Sequence, residues 1–301
     1  MRWVTYRSAA SGADRVGLAL DDGIHALAAG VTLLDLLGEP GRLAAAADWA
    51  TNQPDEVVPA DKVPLRPPIA TPPSIRDFYA FEQHVRTARE GRGLDMDPDW
   101  YELPVFYFTN PAAVRGSGDE IAVPPGCEAL DFELEVAAVV GEGGSDLSAE
   151  KAEAHIAGFL VMNDWSARDL QAREMKQGLG PAKGKDFATT LGPALVTPDE
   201  LEPLRKNKAY DVLMTARVNG REYSRGNLAD IHWSFGEMLS YASRGTQVVP
   251  GDVIGSGTCG TGCILELSIT HGAEAYPWLE PGDVVELEVA GLGTVTNQVL
   301  A

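Results

Sequence analysis

Residues 130–140 read Leu-Asp-Phe-Glu-Leu-Glu-Val-Ala-Ala-Val-Val, and they give the clearest indication of the fold. Because side chains alternate along a strand, Asp131, Glu133 and Glu135 fall on one face and the apolar residues between them on the other. The uninterrupted apolar run over 136–140 is typical of a strand buried on both faces. This stretch therefore predicts a buried β-strand that carries three carboxylates.

Two interpretations of these three acids are open. Neighbouring like charges repel each other, which favours a solvated strand face. The adjoining apolar run instead favours burial, where each unpaired carboxylate would cost several kcal/mol. A hard divalent cation such as Mg²⁺ or Ca²⁺ would remove that cost, and the scarcity of His and Cys beside these acids argues against zinc.

On either side of this stretch the strand pattern dominates, and it predicts an α+β, β-rich domain. The predicted strands cover 105–109, 133–140, 158–162, 212–218, 252–254, 264–269 and 284–289. Asn219-Gly220 predicts a two-residue hairpin turn, because both residues tolerate positive φ. Two helices interrupt the strands: one over 148–156 after Ser148, the other over 228–243, capped by Asn227.

The N-terminal part predicts a separate small unit. Short strands at 3–6, 16–20 and 24–27 predict a β-hairpin, and they are followed by a helix that Thr32 caps and a second helix over 42–50. Seven prolines between 54 and 73 exclude a helix there. We therefore predict a small β/α domain over 1–60, a Pro-rich connection over 61–73 and a catalytic domain over 74–301.

Composition limits the partners and the compartment. The 301 residues contain 24 Lys and Arg against 44 Asp and Glu, a net charge of −20, which excludes nucleic acid and membrane surfaces as expected partners. Three cysteines do not form a disulfide framework and suit a reducing compartment. With no signal-like N-terminus and no long apolar run, we expect a cytoplasmic protein.

Further candidate residues lie at the ends of predicted strands. Asp164 follows the strand at 158–162 and is either a helix N-cap or another metal oxygen. Arg168 and Gln171 lie four and seven residues later, on the helix face nearest Asp164. Their alternative is an exposed ion pair and an exposed amide.

A histidine and a glutamate form a possible acid–base pair. His84 lies on a probable helical turn seven residues after Asp77, and a lone histidine is more often structural than catalytic. Glu266 interrupts the apolar alternation of 264–268, and a carboxylate there could orient an imidazole to take a proton from water. Sequence alone does not bring the two together.

Several motifs fail on inspection. Gly255 to Gly260 has the spacing of a dinucleotide fingerprint, but the predicted strand at 264–268 leaves no helix to bind pyrophosphate. Gly184-Lys185 lacks the glycine spacing and the Ser or Thr of a phosphate loop. Cys259 and Cys263 are interpreted as buried small residues, without the ligand set of a zinc site.

Taken together, five ordered motifs resemble the fumarylacetoacetate hydrolase family. They span residues 74 to about 290, and the N-terminal unit is similar to the small domain of that family. The resemblance implies a mixed β-roll catalytic domain. The motifs are Asp77-Phe-Tyr79 with His84, Asp131-Phe-Glu133-Leu-Glu135, Asn163-Asp164-Trp-Ser-Ala-Arg168-Asp-Leu-Gln171, Gly184-Lys185-Asp-Phe-Ala-Thr189-Thr190, and Gly255-Ser-Gly-Thr258 with Leu265-Glu266-Leu267-Ser268.

The resemblance also implies residue roles. Asp77, Glu133, Glu135 and Asp164 would bind Mg²⁺ or Ca²⁺, with Mn²⁺ as an option, and Asp131 would not be a ligand. His84 and Glu266 would activate water, as in the hydrolase branch. The substrate and transition-state contacts would be Tyr79, Arg168, Gln171, Lys185 and Thr258, and Thr189 would line the metal site.

The implied activity is hydrolysis of a carbon–carbon bond in a 1,3-diketo acid of the fumarylacetoacetate or acylpyruvate type, by a homodimer. The alternatives are an isomerase, decarboxylase or hydratase of 2-oxo acids in aromatic catabolism, and a non-catalytic oxoacid-binding protein. Met175 stands where the best-known hydrolases place a tyrosine, and the segment from Asp164 to Lys185 is one residue longer. These departures concern the identity of the substrate.

Overall fold

A computed structural model describes all residues, Met1–Ala301. The strands, in chain order, are β1 Arg2–Arg7, β2 Asp14–Leu20, β3 Gly23–Ala26, β4 Glu56–Val58, β5 Leu65–Arg66, β6 Ile75–Phe78, β7 Phe106–Thr109, β8 Val114–Arg115, β9 Ile121–Ala122, β10 Leu130–Asp131, β11 Leu134–Val140, β12 Gly144–Ser145, β13 Ile156–Asp164, β14 Ser166–Ala167, β15 Thr189–Val196, β16 Arg205–Lys206, β17 Ala209–Tyr210, β18 Leu213–Val218, β19 Arg221–Asn227, β20 Gln247–Val248, β21 Val253–Gly255, β22 Val284–Val289 and β23 Gly293–Leu300.

Helices are fewer and shorter than strands. The α-helices are α1 Arg42–Asn52, α2 Glu82–Glu90, α3 Ala149–Ala154, α4 Arg168–Glu174, α5 Pro198–Leu201, α6 Phe235–Ala242 and α7 Ile264–His271. The 3₁₀ turns are Leu34–Leu36, Ala60–Lys62, Pro98–Tyr101, Pro111–Ala113, Met175–Gln177, Glu202–Leu204 and Leu228–Asp230. None of the helices has the length and apolar character that a membrane crossing requires.

Most strands belong to one mixed sheet. Its order is β4-β3-β2-β1-β15-β13-β11-β21-β6-β7, with β5 added beside β1 and β8 beside β15. The strands of the predicted N-terminal unit continue this sheet, because β1 pairs antiparallel with β15. The domain boundary in the proline-rich segment therefore stays a prediction, since strands before and after it share hydrogen bonds.

A second sheet closes the core. Its order is β19-β18-β22-β23-β9. The predicted hairpin between β18 and β19 is confirmed: Asn219 and Gly220 both have positive φ, at 52° and 77°. Positive φ at both residues is typical of a type I′ turn. The twist of such a turn matches the right-handed twist of the two strands that it joins, which explains the Asn-Gly dipeptide at this position.

Strand β11 shows how the sheet separates two cores. Leu134, Val136 and Ala138 pack into the large core, which also contains residues of the second sheet. Ala137 and Val139 pack on the opposite face, against the core that includes α1. Side chains alternate along the strand, so Glu133 and Glu135 point to the same face as Ala137 and Val139. The two acids lie at one end of that face.

One strand prediction and two helix predictions need correction. The predicted strand at 264–269 is wrong, because these residues form α7. The predicted helix over 228–243 is divided: a 3₁₀ turn capped by Asn227 precedes α6, which begins with a Ser234–Glu237 capping box. Thr32 precedes a single 3₁₀ turn and not a longer helix. The helices predicted over 42–50 and after Ser148 are confirmed as α1 and α3.

Candidate active site

Four carboxylates meet at one end of the main sheet. Oxygen atoms of Asp77, Glu133, Glu135 and Asp164 all lie within 4.8 Å of one another. All four side chains are buried, and Glu135 and Asp164 are fully so. The interpretation of the acidic strand as a solvated face is therefore wrong, and the sequence prediction that these four acids converge agrees with the geometry. We call this group the carboxylate cage.

Sheet order explains the convergence. Asp164 ends β13, Glu135 lies on β11 and Asp77 on β6, with β21 between the last two. Gly255 of β21 pairs directly with Asp77, and a Cβ at that glycine would overlap the Oδ1 of Asp77. The absence of a side chain at position 255 is what lets Asp77 reach toward the acids of β11 and β13.

The chain supplies two cations to the cage. Lys185 Nζ donates to Glu133 and, at 2.6 Å, to Asp164 Oδ2. Arg168 Nη2 donates to Glu133 Oε1 at 2.7 Å. Although burial opposes it, these two cations hold the pKa of Glu133 below its usual range. Burial also opposes the charged form of Lys185, but Asp164 and Glu133 outweigh it and raise the pKa of its ammonium, so Lys185 stays protonated.

Asp77 and Glu135 form no ion pair with a cation of the chain. Burial, together with the neighbouring Asp164, raises the pKa of Asp77 well above its usual value, and burial with Asp77 does the same for Glu135. Two buried oxygens, Oε2 of Glu135 and Oδ1 of Asp164, have no hydrogen-bond partner. Unpaired buried carboxylate oxygens are the ligands that Mg²⁺, Ca²⁺ and Mn²⁺ prefer. The donor set and these two orphaned oxygens therefore fit a hard divalent cation.

Arg168 links the cage to Asp131. Its Nε donates to Asp131 Oδ2 at 2.8 Å, and its Nη1 donates to Gln171 Oε1 at 3.1 Å. Asp131 also accepts the backbone N–H groups of Ile264 and Leu265, the first two residues of α7. Asp131 thus lies outside the cage, as the resemblance implies. Asp164 ends a strand and caps no helix, because α4 begins at Arg168 with Ala167 before it.

The predicted His84–Glu266 pair forms between two helices. His84 on α2 places Nδ1 2.9 Å from Oε2 of Glu266 on α7, and both side chains are buried. An ionised carboxylate can only accept, so Nδ1 carries the proton and Nε2 is the basic nitrogen. A proton on His84 would lower the pKa of Glu133, so the dyad lies near the cage.

The remaining predicted residues lie around these two groups. Tyr79 packs edge-on to His84, with 5.5 Å between ring centroids. The Thr258 hydroxyl donates to Glu135 Oε1 at 3.3 Å, so it contacts a predicted metal ligand. Thr189 pairs with Asp164 in the sheet, and its buried hydroxyl has no partner. Met175 lies in a 3₁₀ turn and is exposed.

Sequence reasoning missed two residues. The Tyr107 hydroxyl donates to Asp164 Oδ2, and burial beside Asp164 keeps its pKa well above the usual value, so the phenol remains a donor. Its strand was predicted, but nothing in the local sequence indicated the contact with Asp164. Glu174 accepts the backbone N–H groups of Ala182, Lys183 and Gly184, just before Lys185. No local pattern indicates that long contact.

The glycine-rich loop needs one correction. A helix, α7, does follow Gly255–Gly260, so the argument that excluded nucleotide binding by a following strand is wrong. The loop nevertheless serves the cage: the Gly257 N–H donates to Asp77 Oδ1 at 3.1 Å. Cys259 and Cys263 are buried and free, as predicted.

Sequence comparison identifies relatives over the same region. The family model described as fumarylacetoacetate (FAA) hydrolase, C-terminal, matches residues 74–300. A fumarylacetoacetase from Oryza sativa subsp. japonica is 32% identical over 288 residues, which cover 74% of this chain and 67% of that protein. The human mitochondrial oxaloacetate tautomerase FAHD2A is 33% identical over 200 residues, which cover 65% of this chain and 59% of its own length.

Structural comparison covers the whole chain. A probable 2-hydroxyhepta-2,4-diene-1,7-dioate isomerase from Mycobacterium abscessus superposes with a TM-score of 0.74 at 25% identity, covering 100% of this chain and 98% of the other. A fumarylacetoacetate hydrolase from Exiguobacterium antarcticum gives a TM-score of 0.73 at 26% identity, with coverage of 100% and 99%. The predicted fold class is therefore confirmed.

Proposed function

The chain belongs to the fumarylacetoacetate hydrolase family, and from this premise we propose that it hydrolyses a carbon–carbon bond in a 1,3-diketo acid of the fumarylacetoacetate or acylpyruvate type. Relatives in this family include hydrolases, tautomerases and isomerases, so the family alone leaves the reaction open. We choose hydrolysis among these reactions because of the His84–Glu266 dyad.

The dyad suits activation of water. Glu266 orients the imidazole through Nδ1, which leaves Nε2 of His84 free to accept a proton. In the proposed reaction, water attacks the distal carbonyl as His84 takes its proton, the carbon–carbon bond breaks, and the electron pair leaves as an enolate that is then protonated. Mutational precedent gives such a general base a contribution of about 10² to 10⁴ in rate.

The cage supports the other half of the reaction. Asp77, Glu133, Glu135 and Asp164 would hold Mg²⁺ or Ca²⁺, with Mn²⁺ as an option. When bound there, the cation supplies Lewis-acid stabilisation of the enolate oxygens. Lys185 and Arg168 stand beside the same acids as fixed positive charges for the developing anion, and Gln171 orients Arg168. Tyr79 and Thr258 would complete the substrate contacts.

A second candidate is tautomerisation or isomerisation of a 2-oxo acid. The similarity to the human oxaloacetate tautomerase and to the Mycobacterium abscessus isomerase favours it. The same groups would then move a proton between carbon and oxygen without attack by water. Decarboxylation, hydration and a silent oxoacid-binding role are the further outcomes that product analysis distinguishes.

The decisive experiment is a panel of acylpyruvates, fumarylacetoacetate and oxaloacetate, assayed with and without chelator, with products identified by mass. We expect cleavage that incorporates one oxygen from labelled water. His84→Ala should lower that rate about 10² to 10⁴-fold and spare metal binding. His271→Ala, on the exposed end of α7, is the matched control. Full hydrolysis by His84→Ala would refute the dyad, and label-free isomer products would establish the second candidate.

We also propose that the protein is a homodimer that acts in the cytoplasm on intermediates of aromatic breakdown. Its acidic charge of −20 and its three free cysteines support a reducing, soluble setting. Light scattering combined with size exclusion tests the dimer, and fractionation tests the compartment.

A further inference from the structure

We propose that His84, Cys263 and Glu266 form a second metal site, one that takes a soft or borderline divalent cation such as Zn²⁺ or Co²⁺. One ligand atom from each side chain lies within 4.8 Å of the other two. All three side chains are buried. None of them belongs to the carboxylate cage, so the chain carries two adjacent clusters with different donor atoms.

The fold brings the three donors together from two helices. Cys263 is the N-cap of α7, and Glu266 lies three residues later on the same turn. His84 reaches them from α2, through its hydrogen bond to Glu266. Since residues i and i+3 share a helix face, the thiol and the carboxylate approach the imidazole from the same side.

The three donor atoms are close enough together to bind one metal ion. Zinc bonds of about 2.3 Å to sulfur and about 2.0 Å to nitrogen or oxygen place neighbouring ligands about 3.5 Å apart. Since each pair of ligand atoms already lies within 4.8 Å, no pair has to approach by more than about 1.3 Å to reach that spacing. Two protein anions, the thiolate and the carboxylate, balance the cation, so the loaded site is neutral and compatible with burial. The thiol proton is released to solvent when the metal binds.

Donor chemistry separates the two sites. The cage offers only oxygen atoms, which suit Mg²⁺, Ca²⁺ and Mn²⁺. The second cluster offers sulfur, nitrogen and oxygen, a set that selects zinc over magnesium. A metal bound there would occupy His84 and so block the base of the proposed hydrolysis. That inhibition rests on the proposed function, whereas the binding itself does not.

The test uses Co²⁺ added to protein already saturated with Mg²⁺, so that the cage is filled. We expect a near-ultraviolet thiolate-to-cobalt charge-transfer band that Cys263→Ser abolishes. Cys259→Ser is the matched control, because Cys259 is a buried thiol on the same loop and should leave the band intact. Competition by Zn²⁺ should show affinity weakened by more than about tenfold in Cys263→Ser.

The outcomes are distinct. Absence of the band in the wild-type protein, or its persistence in Cys263→Ser, overturns the proposal. If Cys263→Ser does not fold, Glu266→Gln provides the second variant, and an unchanged cobalt spectrum there likewise overturns it. A cobalt band with unimpaired turnover in Zn²⁺ would leave the metal site in place and refute the proposed role of His84.

Discussion

Strand β6 carries two buried charges side by side, Arg76 and Asp77, and they belong to very different surroundings. Arg76 forms an ion pair with Asp252 at 3.0 Å. Asp77 faces the other side of the sheet and enters the carboxylate cage, where four acids meet a single lysine and the edge of one arginine.

The two clusters are equally buried but differ in their balance. In the pair, Asp252 uses both oxygens: Oδ1 accepts from Ser74, and Oδ2 accepts from Arg76 and from the Val249 N–H. In the cage, oxygens of Glu135 and Asp164 remain without partners. Burial alone is therefore a poor sign of function, whereas an excess of one charge that the chain does not offset indicates a missing ligand.

The largest effect should come from Glu135→Gln, which removes one charge from the cage at nearly constant shape. We expect metal affinity to fall more than about 100-fold and turnover about a thousandfold, since the cation contributes several kcal/mol. Because burial and Asp77 already favour the neutral form of Glu135, the metal-free variant should melt at least as high as the metal-free wild type. Calorimetry with Mn²⁺ and thermal melting in chelator measure both.

Glu128→Gln, an exposed acid outside the cage, is the control for that experiment. If Mn²⁺ stabilises Glu135→Gln as much as wild type, the cage is not the metal site.

In the Arg76–Asp252 pair, removing the acid should lower stability. Asp252→Ala leaves the buried Arg76 without its ion-pair partner and should cost about 3–5 kcal/mol of unfolding free energy, with or without metal. The double variant Arg76→Met, Asp252→Leu should recover most of that loss. Urea unfolding of the single and double variants measures the difference, and equal midpoints for the wild type and Asp252→Ala would show that the pair is not needed.

Gly255→Ala tests whether the cage needs the position of Asp77 as well as its charge. The new Cβ would overlap Asp77 Oδ1 and lie 3.0 Å from Met162 Cε, so Asp77 must move while every charge remains. We expect a loss of about 1–3 kcal/mol in stability and weaker Mn²⁺ binding. Ile254→Val, one residue earlier and on the other face, should cost about 1 kcal/mol and leave Mn²⁺ binding unchanged. Equal Mn²⁺ affinity in the two variants would contradict the role of Gly255.

The smallest effect concerns the loop that precedes Lys185. Burial opposes ionisation of Glu174, but three backbone N–H groups lower its pKa. A lowered folded pKa means that this anchor is present at neutral pH and is lost as pH falls below the ordinary carboxyl range. We expect lower amide protection factors, relative to the intrinsic exchange rate at each pH, at 182–184 in Glu174→Gln at pH 7 and in wild type near pH 3, with a turnover loss below about tenfold.

Lys176→Gln, an exposed neighbour, is the control for the loop experiment. Unchanged exchange at 182–184 in Glu174→Gln would remove Glu174 from the support of Lys185.

The sequence predicted those site residues whose position follows from the pattern of a single strand. Alternation in 130–140 placed Glu133 and Glu135 together, and the apolar run at 158–162 located Asp164. The resemblance supplied the rest of the cage and the dyad. Tyr107 was missed because its contact depends on β6 and β7 lying side by side, which no local pattern encodes.

The error at 264–269 has a specific cause. Ile, Leu and the alternation around Glu266 favour a strand, and no residue before Ile264 provides an ordinary side-chain cap. The cap comes from Asp131, more than 130 residues earlier, whose carboxylate accepts the first two backbone N–H groups of the helix. By contrast, the Ser234–Glu237 capping box is a local sequence pattern, and it would have predicted the start of α6 correctly.

Asp131 has a consequence for altering this scaffold. One carboxylate holds both the guanidinium beside the cage and the helix that carries Glu266, the partner of His84. The cage and the dyad are thus positioned by one side chain, although Asp131 hydrogen-bonds to neither of them. A substitution at position 131 should therefore disturb the cage and the dyad together, whereas one at the exposed Met175 should disturb neither.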